Sequence, residues 1–531
     1  MTMNSTDFNG VLVGEKVQRI LAGSPSNKLA TVVVTITIAV SLWFFLSYQF
    51  SPLKQYPGPL LAGFTNLWRI YLATTAEFGP RMKKLHEKYG PVVRIGPNLL
   101  DLDIPELIKV IYGTDGKWVK SDFYKITSSV IDGKITYNMF SETDIVQHAR
   151  FKRPVVRHYS LGSVLAVEPI MDQVIADFCK HLETRFIAQD KSFDLGSWLT
   201  YYAWDFVSAV TFSKRFGYMD KGFDFDGTIS INVQTFNYLA YVGQIPWLDH
   251  CLDKNPIVRL GPPNLANATR AAAESLFPRL KGEDPNFDPN KPDFLQYFID
   301  SKTSHPDVVD NPTIMTYLLL NLLAGADTTL ISIHALLYHT LRNPRVLNRL
   351  TEEVLAANIN SSHPAPYSTA RTLPYLEAIT REAMRMHPAV SMQLERIVPK
   401  SGLTLPDGRF IPGGSLVGIN PYVMGRNFKI YGDDTEEFRP ERWLRREDEG
   451  DDEFQARMRL WNATDLSFGS GSRICVGRHL ALMEMYKIVA TLIAKYEIQL
   501  VDPEEKWQVH ARWFHRVDGG LTCKLRQRDA V

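Results

Sequence analysis

The chain has 531 residues, 45% of them hydrophobic and 22% charged, a composition that fits a globular protein with a large core and excludes disorder, collagen and a small disulfide scaffold. Lysine and arginine number 59 against 58 aspartates and glutamates, a net charge of +1, so bulk charge gives no reason to expect a nucleic-acid partner. Cys179, Cys251, Cys475 and Cys523 are too scattered for a zinc ribbon or a disulfide-stapled secreted fold.

A polar leader, residues 1–28, precedes a run from Leu29 to Leu53 that carries no charge. A helix needs roughly 20 apolar residues to cross a bilayer, and Trp43, Tyr48 and Phe50 lie where an interfacial aromatic belt would sit. A signal peptide and a buried core helix are the alternatives. A signal peptide would have a shorter apolar core and a small-residue cleavage site, whereas Tyr48-Gln49-Phe50 follows here. Residues 29–51 are therefore expected to form a single-pass anchor in contact with membrane lipid. Asp7 and Glu15 against Lys16, Arg19 and Lys28 leave the orientation undecided. Pro57-Gly58-Pro59 cannot continue a helix, which makes 52–62 a hinge and 63–531 a single catalytic domain.

Downstream, Val92–Ile95 and Leu99–Leu102 read as two strands around Gly96-Pro97-Asn98. Gly282–Asp293 reads as a surface loop. Pro312–Leu341 reads as one helix about 45 Å long, capped by Asn311 and ended by Asn343-Pro344. Asp327 is its only acid and it holds no lysine or arginine, so it must be buried in a large fold. A second span is the competing view, but Asn321, Asp327, His334 and His339 make it unattractive. Leu403–Leu405 and Arg409–Ile411 form another hairpin, Arg446–Asp452 another loop, and the remainder is mostly helical: a mainly α fold with small β-sheets.

Near the C-terminus stands Phe468-Gly469-Ser470-Gly471-Ser472-Arg473-Ile474-Cys475-Val476-Gly477, followed by a helix from about Arg478 to Glu497. A cysteine just before a helix N-terminus is placed where the dipole and free N–H groups favour a thiolate. Gly469, Gly471 and Gly477 let a flat ligand approach the backbone, and Arg473 can reach an anion on it. This combination suits an axial haem ligand. A lone cysteine is more often a small buried hydrophobe. A dinucleotide loop would need a third glycine where Ile474 stands, and no Gly-x-Ser-x-Gly elbow occurs.

Phe468-x-x-Gly471-x-Arg473-x-Cys475-x-Gly477 resembles the haem-binding signature of the cytochrome P-450 superfamily. Glu382-Ala383-Met384-Arg385 resembles its Glu-x-x-Arg helix, Phe438–Trp443 its Pro-Glu-Arg segment, and Ala324-Gly325-Ala326-Asp327-Thr328 its oxygen-activating stretch. Tyr56–Pro59 and Leu373–Pro388 are most similar to fungal members of secondary metabolism. The resemblance implies the P-450 fold, haem b held by Cys475 on iron, and Glu382, Arg385 and Arg442 as a buried structural network. It implies that Thr328 holds water or bound oxygen species and Asp327 relays protons, with Thr329 as an understudy. Arg473 and then Arg396 are the propionate candidates. The family's Trp-x-x-x-Arg is replaced here by His148 and Lys152, a departure that puts their propionate role in doubt. Arg150, Lys152, Arg153 and Arg157 form either a basic face for an acidic electron donor or a solvated face.

The resemblance further implies a monomeric monooxygenase on the endoplasmic-reticulum membrane, its haem domain facing the cytosol. It would take electrons from NADPH only through a separate reductase and hydroxylate an apolar small molecule. Phe236, Tyr238, Val390–Leu394 and Trp513-Phe514 are candidate pocket walls. The alternatives are a detoxifying monooxygenase, a reductase-independent haem-thiolate isomerase or dehydratase, and a haem carrier or sensor.

Overall fold

The computed structural model describes residues 25–131, 133–359 and 362–528. Its first helix, α1 (Pro25–Gln49), begins four residues before the apolar run, so most of the predicted leader, residues 1–24, lies outside the described residues. Leu29–Gln49 has a mean hydropathy of 2.4 and none of it is buried. By length and composition it is a candidate membrane span, and its exposure sets it apart from a core helix. Its C-terminal end docks on the domain: Tyr48 stacks on Phe64 at 4.6 Å, and Arg94 donates to Ser51 Oγ at 3.0 Å and Gly63 O at 3.2 Å.

The Pro-Gly-Pro segment leads into α2 (Leu60–Phe64). It is pinned rather than free. Arg94 N donates to Pro57 O at 2.7 Å, and a Cβ on Gly58 would lie 2.1 Å from Arg94 O, so only glycine lets the backbones approach this closely.

The predicted hairpin forms as β1 (Val92–Gly96) and β2 (Leu99–Leu102). It is the edge of a five-stranded sheet, in the order β1-β2-β8-β5-β3, with β3 (Val119–Lys120), β5 (Arg396–Ile397) and β8 (Leu416–Gly418). In it Lys120 lies directly opposite Arg396. Like charges facing each other across strands are destabilising unless something compensates them. The second predicted hairpin is β6 (Leu403–Thr404) with β7 (Phe410–Ile411). At the C-terminus, β9 (Tyr496–Leu500) pairs with β12 (Thr522–Gln527), which also pairs with β4 (Phe193–Asp194), while β10 (Gln508–Ala511) pairs with β11 (His515–Asp518).

The helical body is built on α3 (Ile145–Lys152), α4 (Glu168–Arg185), α5 (Leu195–Phe212), α6 (Thr228–Val242), α7 (Asn311–Leu341), α8 (Pro374–Met386), α9 (Asp451–Thr464) and α10 (Arg478–Lys495). The main core joins side chains of α4, α5, α7, α8 and α10. The long α7 runs through it with over half of its most apolar window buried, which makes it the core helix of the fold. Its cap is Asp310, whose carboxylate accepts from Thr313 N at 2.8 Å; Asn311, the expected cap, is the first helical residue. The last helix stops at Lys495, since Tyr496 and Glu497 pair with Gln527 and Arg526. Asp451 and Asp452 open α9 rather than ending a loop.

Behind α8 lies an aromatic cluster with three imidazoles. His387 stacks on His515 at 3.7 Å and donates from Nε2 to His515 O at 2.7 Å, and His339 stacks on Phe438 at 4.7 Å. Burial, aided by nearby positive groups such as Arg426, pushes His339 and His515 down to about 3 and His387 well below its usual value. These groups are neutral when folded but protonate near 6.5 when unfolded. Their stabilisation is therefore complete above about pH 6.5 and declines as pH falls toward 3, by about 1.4 kcal/mol per pH unit for each group. The thermal midpoint should drop measurably between pH 7 and pH 5, a window in which ordinary carboxylates stay largely ionised. A midpoint unchanged over that range would contradict the neutral cluster.

Candidate active site

Cys475 sits on a loop that its own backbone closes. Cys475 N donates to Phe468 O at 2.8 Å, Gly469 N to Leu466 O at 2.9 Å, and Ile474 N to Gly471 O at 3.2 Å. Gly469 and Gly471 have φ of 69° and 63°. A Cβ on Gly471 would fall 1.6 Å from Tyr112 O, so this glycine is required both by conformation and by space. Gly477 precedes α10 directly.

The thiol itself departs from the sequence expectation. Cys475 is open to solvent by surface area, yet burial among protein atoms raises its pKa, outweighing the Gly477 and Arg478 N–H groups and the Arg478 and Lys152 charges. The two observations agree if the sulfur lies at the floor of a recess, reachable but poorly hydrated. Such a thiol stays protonated until a cation takes the place of its proton.

Arg473 does not lean on Cys475. It donates to the Glu142 and Thr143 carbonyls at 2.7 and 3.1 Å. Burial and then Arg396 push it down to about 10, although Glu142 and Asp144 oppose them. Lys120 is buried, donates to Phe140 O at 2.8 Å, and is driven well below its usual value by burial, Arg396 and Arg473. On α3, capped by Asp144, His148 is buried and pushed down to about 3 by desolvation and then by Arg473, Lys120, Lys152 and Arg396. Lys152 donates to Ser472 O at 2.9 Å and so belongs to the cysteine loop rather than to the exposed face carrying Arg150, Arg153 and Arg157.

Five basic groups thus converge. Among the described residues, Lys120, Lys152, Arg396 and Arg473 form no ion pair with a carboxylate. Lys120 and Arg396 are buried and Lys152 and Arg473 half-buried, and cations so far removed from water without a carboxylate partner call for an anionic ligand. A group with two carboxylates on one edge and a metal above the thiol fits this donor set. Lys120 escapes sequence reasoning because its two-residue strand carries no motif; only its register opposite Arg396 reveals it.

The predicted network forms completely. Glu382 is fully buried and its carboxylate accepts from Arg385 Nε and Nη2 at 2.8 Å each, Arg442 Nε at 2.9 Å, Arg439 N at 2.9 Å and Trp443 Nε1 at 2.9 Å. Burial would raise its pKa, but Arg385 and Arg442 overcome this and hold it below the carboxylate range. Arg385 continues to Gly425 O and Thr435 O, Arg442 to Tyr431 O and Asp434.

On α7, Ala324, Gly325 and Thr328 are half-buried while Asp327 and Thr329 are buried. Thr328 Oγ1 donates to Ala324 O at 2.8 Å, which turns its lone pairs outward. Asp327 is held by Asn232 Nδ2 at 2.6 Å and by Arg516, two partners that no sequence motif singled out. Among the candidate walls, Phe236 packs on Phe514 at 4.3 Å, and Trp513 lies 5.2 Å from Phe123. The backbone of Ser391 donates to Trp513 O at 2.9 Å. Tyr238 instead ties its hydroxyl to Asp249 at 2.8 Å.

Residues 57–518 match the family model described as Cytochrome P450. The chain is 43% identical over 509 residues to "Cytochrome P450 monooxygenase cfoH" of Aspergillus candidus, covering 95% of this chain and 94% of that one. It is 35% identical to "Cytochrome P450 monooxygenase cicH" of Emericella nidulans, over 93% and 97% of the two chains. It is 31% identical to "Cytochrome P450 monooxygenase vrtE" of Penicillium aethiopicum, over 90% and 91%.

Truncating Arg385 to alanine removes one of the two guanidiniums on buried Glu382 and unpairs the Gly425 and Thr435 carbonyls, and should cost about 3–5 kcal/mol. The variant is expected to lose most of its bound haem on purification, read as the ratio of Soret to protein absorbance. Full haem content with an unchanged denaturation midpoint would remove the network from its structural role.

Proposed function

Because the chain belongs to the cytochrome P450 family, and is thus a haem-iron monooxygenase, we propose that it is a membrane-anchored enzyme of fungal secondary metabolism that oxidises an apolar small molecule. The single observation that supports this most is the Cys475 loop, tied to Lys152 through Ser472 O, with Lys120, Arg396 and Arg473 converging around His148 and, among the described residues, none of the four cations in an ion pair with a carboxylate. Cys475 Sγ would ligate the iron of haem b. Lys120, Lys152, Arg396 and Arg473 would neutralise its propionates, with neutral His148 packed beside them. Haem with a thiolate ligand supplies the activation of dioxygen and the attack on an unactivated C–H bond.

The chain's own residues do the rest. Phe123, Phe236, Trp513 and Phe514 exclude water and favour an apolar substrate. Thr328, with its hydrogen committed to Ala324 O, offers lone pairs to a donor at the open face of α7. Asp327 holds and releases a proton there. The Leu29–Gln49 helix, long and apolar enough to cross a bilayer, supports anchoring to a membrane, which would be the endoplasmic reticulum with the haem domain in the cytosol. Electrons from NADPH arrive through a separate reductase in that membrane. Exposed Arg150, Arg153 and Arg157 are a docking surface of the right sign.

Relatives named as monooxygenases, rather than isomerases, favour this reading over a reductase-independent one. The test is turnover of candidate metabolites in microsomes. Oxidised product should require NADPH, reductase and dioxygen together, and Thr328→Val should divert electrons to hydrogen peroxide on the order of tenfold. Product formed without the reductase would overturn the proposal.

A further inference from the structure

The Asp327 carboxylate has two unequal oxygens. Oδ2 accepts from Arg516 on β11 and from Asn232 Nδ2 on α6, the latter at 2.6 Å. Oδ1 is buried and makes no hydrogen bond. The Asn232 amide also lies 3.5 Å from Leu323 O. Both neighbours of its NH2 group are acceptors, which fixes the amide orientation and leaves Asn232 Oδ1 buried and unpartnered as well. Two orphan acceptors therefore stand in one cluster whose one ion pair among the described residues is with Arg516. Orphaned buried acceptors call for a donor.

Arg516 is placed to act on this cluster from outside. Its side chain remains 18% exposed while Asp327 is 1% exposed, and its guanidinium lies 5.9 Å from the Phe514 ring. It comes from the short β10–β11 hairpin rather than from the helical core.

Building on the acid–alcohol role given to Asp327 and Thr328, we propose that Arg516 and Asn232 are positioning residues. They occupy Oδ2 and thereby confine proton exchange to Oδ1. A solvated proton from bulk is taken up at Oδ1, its carrier water returning to solvent, and is passed on to an acceptor held at Thr328; Asp327 returns to its carboxylate and nothing is oxidised or reduced in the transfer. Arg516 supplies the counter-charge beside the carboxylate, and Asn232 fixes its rotation. Without Arg516 the buried carboxylate loses its counter-charge and keeps only the Asn232 amide.

The test uses the full-length holoprotein with its reductase, and compares Arg516→Gln, Asp327→Asn and the double variant. Arg516→Gln should lower the melting temperature by about 4 °C, and adding Asp327→Asn should restore it, because the unpaired charge is gone. Arg516→Gln should also raise peroxide released per NADPH by on the order of tenfold while KM stays within about twofold. A purely structural role would not move that ratio. Unchanged peroxide release in Arg516→Gln, with raised release in Asp327→Asn, would overturn this inference alone. So would a double variant no more stable than Arg516→Gln. Unchanged release in Asp327→Asn would instead overturn the acid–alcohol reading, and with it this one.

Discussion

A single buried carboxylate organises the proximal half of this molecule. Glu382 gathers two guanidiniums, an indole N–H and a backbone N–H. Those donors come from α8 and from the Arg439–Trp443 turn, and their remaining hydrogens satisfy carbonyls between Gly425 and Glu437. Trp443 then packs on Trp461 of α9 at 4.9 Å, and α9 delivers the chain to the cysteine loop. A surface ion pair would be worth little. Here Glu382, Arg385, Arg442 and Trp443 are all buried, so each lost donor leaves polar atoms that water does not reach. Fixing these segments fixes where Leu466 and Phe468 lie, and they in turn accept the hydrogen bonds that close the loop on Cys475.

Electrostatics then divides the site in two. Below α7 the protein accumulates positive charge around the loop, with Arg473 lowered to about 10 and His148 to about 3 through burial and mutual repulsion. On α7 itself it holds one carboxylate beside one arginine. The first arrangement gathers cations that, among the described residues, have no carboxylate ion-pair partner; the second pairs its charges. Perturbed groups of this kind mark functional sites because folding alone would not select them.

Much of this was legible in the sequence. The signature around Cys475, the Glu382–Arg385 spacing, the uncharged α1 and the apolar α7 depend on local pattern, and each lies where the pattern puts it. What escaped depends on contacts between distant segments. Lys120 gains meaning only from its register with Arg396, and Arg516 only from the hairpin that carries it to Asp327. The helix ends shifted for similar reasons: Asp310, not Asn311, holds Thr313 N, and pairing with β12 draws Tyr496 out of α10. The helix N-terminus points to a stabilised thiolate, while burial of the sulfur among protein atoms raises its pKa. That balance cannot be judged without knowing how many atoms surround the sulfur.

The account stands or falls on that sulfur. The decisive measurement is the carbon monoxide difference spectrum of the reduced protein, wild type beside Cys475→Ser. The wild type should give the red-shifted band of a thiolate-ligated haem, and the serine variant should lose it while retaining the far-ultraviolet circular dichroism of the folded chain. An unaltered band in the serine variant would contradict the assignment of Cys475 as the ligand.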